Sequence, residues 1–160
     1  LIKPNYWAVY KYRAKLSEEQ GNLDSALADY STALVLNDKD STVYILRANI
    51  YEKMNLDSLA AADYQQVLAV EKDNLPILQK RGEACVRAGM NPEAIVAFDH
   101  LLKLDPTYYQ AYYYRGLAKF QIGETSNACG DWTVAQHHPS DALKKAIVDH
   151  CGKYDTVLRK

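Results

Sequence analysis

An arginine recurs along this chain at a fixed spacing, and this periodicity limits the possible folds more than any other feature. Its four copies stand 34 residues apart, at Arg13, Arg47, Arg81 and Arg115. Four further columns keep the same register: a tyrosine or leucine, a small residue, an alanine and a second aromatic. They comprise Tyr10, Tyr44, Leu78 and Tyr112; Ala14, Ala48, Gly82 and Gly116; Ala26, Ala60, Ala94 and Ala128; and Tyr30, Tyr64, Phe98 and Trp132. A fixed period of this length predicts a stack of repeated structural units.

Each period contains two segments with apolar residues at helical spacing, separated by a short break such as Gly21-Asn22. One hairpin of helices cannot bury both apolar stripes, so neighbouring copies must stack. We predict repeats at about 7–40, 41–74, 75–108 and 109–140, with the last repeat's second helix at 125–137. Asn5 and Asn91 are predicted helix caps. A final segment at about 141–158 is predicted to be a capping helix, because the end of such a stack needs a polar outer face.

Composition and motifs exclude several functional classes. The net charge is −1, unlike that of a basic nucleic-acid-binding protein. No apolar run is long enough for membrane insertion as a helix, and no secretory signal peptide is recognisable. Neither a glycine-rich phosphate loop nor a nucleophile-elbow motif is present, so we expect a non-enzymatic chain without a cofactor. The chain opens Leu1-Ile2-Lys3-Pro4 without an initiator methionine, and we expect a piece of a longer or processed protein.

The columns resemble the tetratricopeptide repeat, a 34-residue helix–turn–helix with small residues where helices cross and an aromatic on the second helix. The resemblance covers residues 6–138 and implies one all-α domain over residues 1–160, a right-handed α-solenoid of about nine helices. Two departures stand out: the closing proline occurs cleanly only as Pro106, and an arginine replaces the usual leucine. The resemblance implies a scaffold that binds a protein or peptide partner through a concave groove. An alternative is a structural spacer or self-associating oligomerisation module of a larger multidomain or envelope-associated protein.

The arginine column has both a structural and an anion-binding interpretation, and the sequence favours the structural one. An aspartate stands sixteen residues after three of the arginines, where the facing helix of the same hairpin is expected. Because the guanidinium fork matches a carboxylate, we predict a partly buried ion pair in each of these repeats. The pairs are Arg13 with Asp29, Arg47 with Asp63, and Arg115 with Asp131. The third copy has Ala97 at that position and Asp99 two residues later.

Groove residues follow from the resemblance, since the family's first helices turn one face toward the bound peptide. The corresponding positions run from basic and polar at the start of the chain to aromatic near its end. They are Lys11, Lys15, Ile45, Asn49, Glu52, Gln79, Lys80, Glu83, Arg87, Tyr113 and Leu117. This gradient suits a peptide with acidic and apolar anchors, although solvated charges and packing of the cap explain it as well.

One subfamily holds the acidic C-termini of heat-shock chaperones with a two-carboxylate clamp. Lys11 and Lys80 match basic residues of that clamp. Lys15 and Leu46 stand where asparagines are needed, and Pro76 stands where a lysine is needed. Three mismatches in five positions argue against chaperone-tail binding.

Cysteines and histidines concentrate after residue 128, but their spacing matches no standard zinc site. Cys129 and Cys151 are expected on antiparallel helices at similar distances from a turn near residue 139, so they can face each other. Whether they form a disulfide depends on the compartment. The late cysteine and the Ala128-Cys129 and Asp131-Trp132 pairs resemble the last repeat of envelope-associated proteins of Bacteroidota. This favours the bacterial envelope or periplasm over the cytoplasm.

Overall fold

The computed structural model describes residues 6–152, and its regular structure there is entirely helical. The helices are α1 (Tyr6–Glu19), α2 (Leu23–Leu36), α3 (Ser41–Lys53), α4 (Asp57–Val70), α5 (Leu75–Arg87), α6 (Asn91–Leu104), α7 (Tyr109–Gln121), α8 (Thr125–Ala135) and α9 (Asp141–Cys151). The first eight form four hairpins of consecutive helices, and α9 follows the last hairpin. The all-α class predicted from the 34-residue period is confirmed.

A residue with positive φ forms the turn inside each hairpin. Gly21, Gly89 and Gly123 have φ of 79°, 73° and 87°, and Asn55 has φ of 57° in the same column. The left-handed region is accessible to glycine at no steric cost and is tolerated by asparagine. The 34-residue period therefore extends to the turns, which reverse the chain at the same point in every repeat.

Among the described residues, side chains cap three of the helices. Asp40 Oδ1 accepts hydrogen bonds from the backbone N–H groups of Thr42 and Val43 at 3.0 and 3.3 Å. Asn74 and Ser140 cap α5 and α9 through the N–H groups of the third residue beyond them, Ile77 and Leu143. Each cap satisfies donors that have no partner inside the helix.

The prediction that Asn91 caps α6 is wrong. Asn91 is the first residue of α6 and follows Met90 at the cap position. A capping side chain must precede the helix to reach the N–H groups of its first turn. Within residues 6–152, the buried Asn91 side-chain oxygen has no hydrogen-bond partner. The other predicted cap, Asn5, lies outside the described residues.

One predicted helix end also differs from the structure, and another lies outside the described residues. Helix α8 ends at Ala135 rather than at residue 137, because the chain then tightens into hydrogen bonds between residues three apart. The N–H groups of Gln136, His137 and His138 bond to carbonyls of Thr133, Val134 and Ala135. Helix α9 extends to Cys151, and residues 153–158 of the predicted capping helix lie outside the described part.

The chain divides into two compact units, one ending at Lys72 and the other beginning at Asp73. The first contains α1–α4, and a core within it joins α1, α2 and α3. The members of this core are Ala14, Ala26, Tyr30, Ala33, Leu34, Val43 and Ile50. The second unit contains α5–α9, and its core at α8 and α9 is built from Ala128, Cys129, Trp132, Ala135, Leu143 and Cys151.

The small-residue column lets the second-helix aromatic lie directly against the first helix. A Cβ added at Gly116 would meet Trp132 Cδ1 at 2.6 Å, and one added at Gly82 would meet Phe98 Cζ at 2.5 Å. Trp132 is fully buried, and its Nε1–H donates a hydrogen bond of 3.1 Å to the carbonyl of Tyr113. The indole therefore needs the space that glycine leaves on α7.

We expect Gly116→Ala to lower the free energy of unfolding by roughly 1 kcal/mol. Overpacking against Trp132 costs about 1–3 kcal/mol, and the better helix propensity of alanine returns about 1 kcal/mol. Gly130→Ala is the matched control, since Gly130 lies in α8 with open space around its Cα. Urea unfolding should show Gly130→Ala stabilising the chain and Gly116→Ala destabilising it. Stabilisation by both variants would contradict the close packing of Trp132.

Candidate functional site

The structure joins each predicted arginine–aspartate pair through two parallel hydrogen bonds between the helices of one hairpin. The distances from arginine Nε and Nη2 to the carboxylate oxygens are 2.6 and 2.5 Å for Arg13–Asp29, 2.8 and 2.7 Å for Arg47–Asp63, and 2.9 and 2.6 Å for Arg115–Asp131. All three aspartates are buried. A bidentate pair fixes the relative position of two helices, so these arginines serve the scaffold.

The environments of the three arginines differ. Arg47 Nη1 also donates to Ser31 Oγ at 3.1 Å, and Arg115 Nη1 donates to Asp99 Oδ1 at 2.7 Å. Their side chains are 18% and 15% exposed, whereas the Arg13 side chain is 61% exposed. The hydrogen bonds that Arg47 donates to Asp63 raise the pKa of Arg47, and the hydrogen bonds that Asp29 accepts from Arg13 lower the pKa of Asp29.

The third repeat has no such pair. Ala97 stands where the other repeats have an aspartate, and Asp99 pairs with Arg115 of the next repeat. The Arg81 Nε atom is buried without a hydrogen-bond partner in the described part of the chain. The column therefore keeps its arginine even where the intrarepeat carboxylate is missing.

Two groove residues predicted on α3 are held by their own hairpin. The Tyr64 hydroxyl, from α4, lies 2.8 Å from Glu52 Oε2 and 3.1 Å from Asn49 Oδ1. The Tyr30 hydroxyl similarly reaches Glu18 Oε2 at 3.3 Å, and burial raises the pKa of Tyr30 to about 12. Tyrosines of the second helices thus hydrogen-bond to polar side chains of these first helices. The sequence pattern did not indicate these hydrogen bonds.

In the first unit, the first helices of consecutive hairpins are neighbours. Lys53 Nζ of α3 pairs with Glu18 Oε1 of α1 at 2.6 Å, and Lys11 Nζ pairs with Asp40 Oδ2 at 3.1 Å. Lys15 is exposed and Ile45 is half-buried. Of the two predicted basic groove residues on α1, Lys15 is the more accessible, because Lys11 pairs with Asp40, the residue that caps α3.

The second unit brings together the polar groove residues of α5 and the start of α7. Gln79 Nε2 donates to Glu83 Oε1 at 2.7 Å, and the Tyr108 hydroxyl donates to Gln79 Oε1. Gln110 Nε2 also reaches Glu83 Oε1, at 3.4 Å. On α5, Lys80 is half-buried and Arg87 is exposed. These contacts make a continuous polar face from α5 to α7.

The predicted aromatic end of the groove is partly covered. Tyr113 and Leu117 of α7 pack against the core formed by α8 and α9, together with Phe120 and Ile147. Helix α9 follows the last hairpin as a new first helix would, and its Leu143 is 1% exposed. Leu117 therefore contributes to the attachment of the cap, whereas Tyr113 also borders a cavity.

This cavity, the tyrosine pocket, has a volume of about 420 Å³ and lies at the start of α7, the loop after α8 and the start of α9. Its lining combines aromatic rings with polar groups that can hydrogen-bond. The lining residues are Tyr109, Gln110, Tyr113, Tyr114, Ala135, His138, Ser140, Ala142 and Leu143. Its volume falls within the range typical of ligand sites, and its mixed lining resembles theirs.

Aromatic rings in contact with one another form a wall of the tyrosine pocket. The Tyr109 ring lies 5.1 Å from His137 and 5.0 Å from His138, and the Tyr113 and Tyr114 rings meet edge to face at 5.2 Å. Burial raises the pKa values of Tyr113 and Tyr114, so both remain neutral hydrogen-bonding groups at neutral pH. The wall of the pocket therefore consists of neutral aromatic rings in contact with one another.

The cysteines and His150 near the end of the chain make contacts within the fold. Cys129 and Cys151 form a disulfide between α8 and α9, with a Cα–Cα distance of 5.7 Å. The His150 ring lies 4.2 Å from Phe120, while Cys85 is free and buried.

In residues 6–152, no cluster of three or more histidine, cysteine, aspartate or glutamate side chains is arranged to hold a metal ion. No helix in the same range is both long and apolar enough to span a membrane.

Sequence reasoning identified Tyr113 but missed most of the tyrosine pocket. Tyr109, Gln110 and Tyr114 lie in a tyrosine-rich segment, 108–114, whose composition was the available signal. His138 and Ser140 come from the loop after α8, which lies outside the repeat pattern, so no column pointed to them.

Comparison with known proteins identifies the fold. No protein-family model matches the sequence. A tetratricopeptide repeat protein from Parabacteroides merdae superposes with a TM-score of 0.73 at 21% identity, over 92% of this chain and 59% of that chain. YrrB, a protein of the same repeat type with an unusual peptide-binding site, gives 0.71 at 21% identity over 92% and 77%. The Sgt2 repeat domain from Aspergillus fumigatus gives 0.64 at 23% identity over 76% and 83%.

These similarities agree with the turns, hairpins and small-residue crossings described above. All three solved structures are tetratricopeptide-repeat proteins, and each superposes on most of this chain. The chain therefore has the tetratricopeptide-repeat fold, with four hairpins and a following helix within residues 6–152.

Proposed function

We propose that the chain is an interaction scaffold that binds an extended polypeptide segment along its first helices, with the tyrosine pocket as the principal subsite. The observation that carries the proposal is the preformed cavity of about 420 Å³ beside the polar face of α5 and α7. The proposed activity is binding without a catalytic step, and the partner is a protein or peptide rather than nucleic acid.

The chemistry of the pocket defines the ligand it suits. Rings of Tyr109, Tyr113 and Tyr114 offer contact area at a low cost in side-chain entropy. Gln110, His138 and Ser140 add polar groups at the rim. A peptide with an aromatic or large aliphatic anchor, flanked by backbone that can hydrogen-bond, fits this combination.

The neighbouring polar face extends the site beyond one side chain. Gln79, Glu83 and Gln110 form a connected row of amide and carboxylate groups. Amides on a helix face can bond the main chain of an extended peptide, while the pocket selects one of its side chains. YrrB, whose fold this chain shares, has a peptide-binding site, which supports the same use of the fold here.

The test begins with a random peptide library displayed on phage and selected on the immobilised chain. We expect enrichment of peptides with a shared aromatic or aliphatic anchor, and calorimetric titration of one selected peptide gives its affinity. Gln110→Ala with His138→Ala should weaken binding at least about tenfold, corresponding to roughly 1.4 kcal/mol. Both positions are exposed, so these changes should leave the core intact.

Val96→Ala is the matched control, because Val96 is an exposed side chain, 64% accessible, on a second helix of the same unit. It should bind the selected peptide with unchanged affinity. A pocket variant that binds as tightly as the unmodified chain would reject the tyrosine pocket as the subsite. Failure to enrich any peptide would reject peptide binding by the chain.

A further inference from the structure

A carboxylate without a cationic partner lies beside the tyrosine pocket. Glu83 of α5 is half-buried, and its Oε1 accepts hydrogen bonds from Gln79 Nε2 at 2.7 Å and Gln110 Nε2 at 3.4 Å. Both donors are neutral amides, and no lysine, arginine or histidine among residues 6–152 forms an ion pair with Glu83. The negative charge is therefore held in place but not neutralised by a neighbouring cation.

Gln110 connects this carboxylate to the pocket. Its side chain lines the tyrosine pocket and its Nε2 donates to Glu83, so the carboxylate lies one side chain away from the cavity. Burial raises the pKa of Tyr114 in the pocket wall, and the charge of Glu83 raises it further. Arg87 acts on the pKa of Tyr114 in the opposite direction, with a smaller effect. The charge of Glu83 therefore acts on this wall more strongly than that of Arg87.

The scaffold does not require an acid at this position of the repeat. Lys15, Asn49 and Leu117 occupy the same position in the first, second and fourth repeats. Asn49 contacts the Tyr64 hydroxyl of its own hairpin, and Leu117 packs against the core at α8 and α9. Hairpins of this chain thus fold with an amine, an amide or an alkyl side chain here, and the carboxylate is specific to the repeat beside the pocket.

We propose that Glu83 selects a basic side chain next to the residue bound in the tyrosine pocket. The inference rests on the proposed peptide-binding function and narrows its ligand to a peptide with lysine or arginine beside an aromatic or large aliphatic anchor. An extended peptide advances about 3.3 Å per residue, and only the Gln110 side chain separates the cavity from the carboxylate. A basic residue within about three positions of the anchor can therefore reach Glu83.

The second oxygen of the carboxylate is available for this contact. Glu83 Oε2 has no hydrogen-bond donor in the described part of the chain, so it can accept from an ammonium or guanidinium group. An acidic peptide residue at the same place would bring two carboxylates together, and like charges oppose binding. The acidic anchor expected from the basic start of the groove therefore does not suit the surface beside the tyrosine pocket.

Calorimetric titrations with variants of one selected peptide test the inference. Each peptide is acetylated at its N-terminus and amidated at its C-terminus, so that only side chains carry charge. Lysine, norleucine or glutamate replaces each residue within three positions of the anchor in turn. At one position, we expect lysine to bind about fivefold more tightly than norleucine, and glutamate to bind more weakly than norleucine. Added salt should reduce the lysine preference, because it screens the charge.

Glu83→Gln isolates the effect of the charge. The amide oxygen of the new side chain can still accept from Gln79 and Gln110, so the hydrogen-bonded row is retained. The ratio of the lysine and norleucine affinities should fall to about one, whatever the change in either affinity. Glu83→Lys should reverse the preference, so that the glutamate peptide binds more tightly than the lysine peptide.

Glu93→Gln is the matched control, because Glu93 is an exposed carboxylate on α6 of the same unit. It removes the same net charge and should leave the affinity ratio unchanged. Equal affinities for lysine and norleucine at every scanned position would overturn the inference and leave the tyrosine pocket as the peptide site. A lysine preference that persists in Glu83→Gln would do the same. Failure of every peptide to bind would overturn the proposed function as well.

Discussion

Asp63→Ala is expected to lower the free energy of unfolding by about 3–5 kcal/mol, the usual cost of removing one partner from a buried ion pair. The Asp63 and Arg47 side chains are 6% and 18% exposed, and two hydrogen bonds of 2.8 and 2.7 Å join them. The variant leaves the Arg47 guanidinium largely buried without its carboxylate. Urea unfolding followed by circular dichroism measures the effect.

Asp29→Ala provides the comparison within the same protein. Its partner Arg13 is 61% exposed, so water can solvate the guanidinium after the carboxylate is lost. Exposed pairs contribute about 0–1 kcal/mol, and we expect a loss near the top of that range. An equal loss in the two variants would contradict the view that burial sets the energy of this column. Arg47→Met with Asp63→Leu should recover much of the stability lost in Asp63→Ala.

Removal of the Cys129–Cys151 disulfide by a double alanine substitution should cost about 3 kcal/mol of stability, given the 22-residue separation. The bond attaches α9 to α8 beside Trp132 and Leu143, so the loss should appear first as faster amide hydrogen exchange in α9. Urea unfolding with and without a thiol reductant gives the stability change.

The matched control is the reductant itself. It should lower the urea midpoint of the unmodified chain to that of the double variant and leave the double variant unchanged. A thiol count on the denatured, unreduced protein should find one thiol, from Cys85. Three thiols, or a urea midpoint insensitive to reductant, would contradict a structural disulfide.

The regular columns made the scaffold predictable from sequence. Each column marks one recurring contact, such as Gly116 against Trp132 or Arg47 with Asp63. The first contact recurs between Gly82 and Phe98, and the ion pair recurs in the first and fourth repeats. The turn column is the clearest example, since Asn55 replaces glycine where left-handed backbone is still required. Periodicity thus determines the helices, their turns and the ion pairs between them.

The candidate site was less predictable, because it depends on where the period is broken. Asn49 and Glu52 were predicted to face the groove, but both contact the Tyr64 hydroxyl. This contact depends on the length of the Tyr64 side chain, which comes from the second helix of the hairpin. His138 and Ser140 join the tyrosine pocket only because α8 ends early and the chain turns. Asn91 was misassigned as a cap because the helix begins at that residue rather than after it.

Amide hydrogen exchange with and without a selected peptide tests the central claim most directly, since it locates the bound segment on the chain. We expect slower exchange at the start of α7 and across the loop into α9, around Gln110 and Leu143, with no change on α6 around Val96. This pattern would place the peptide in the tyrosine pocket. Protection confined to α6, or no protection at α7 and α9 under saturating peptide, would contradict the proposed binding site.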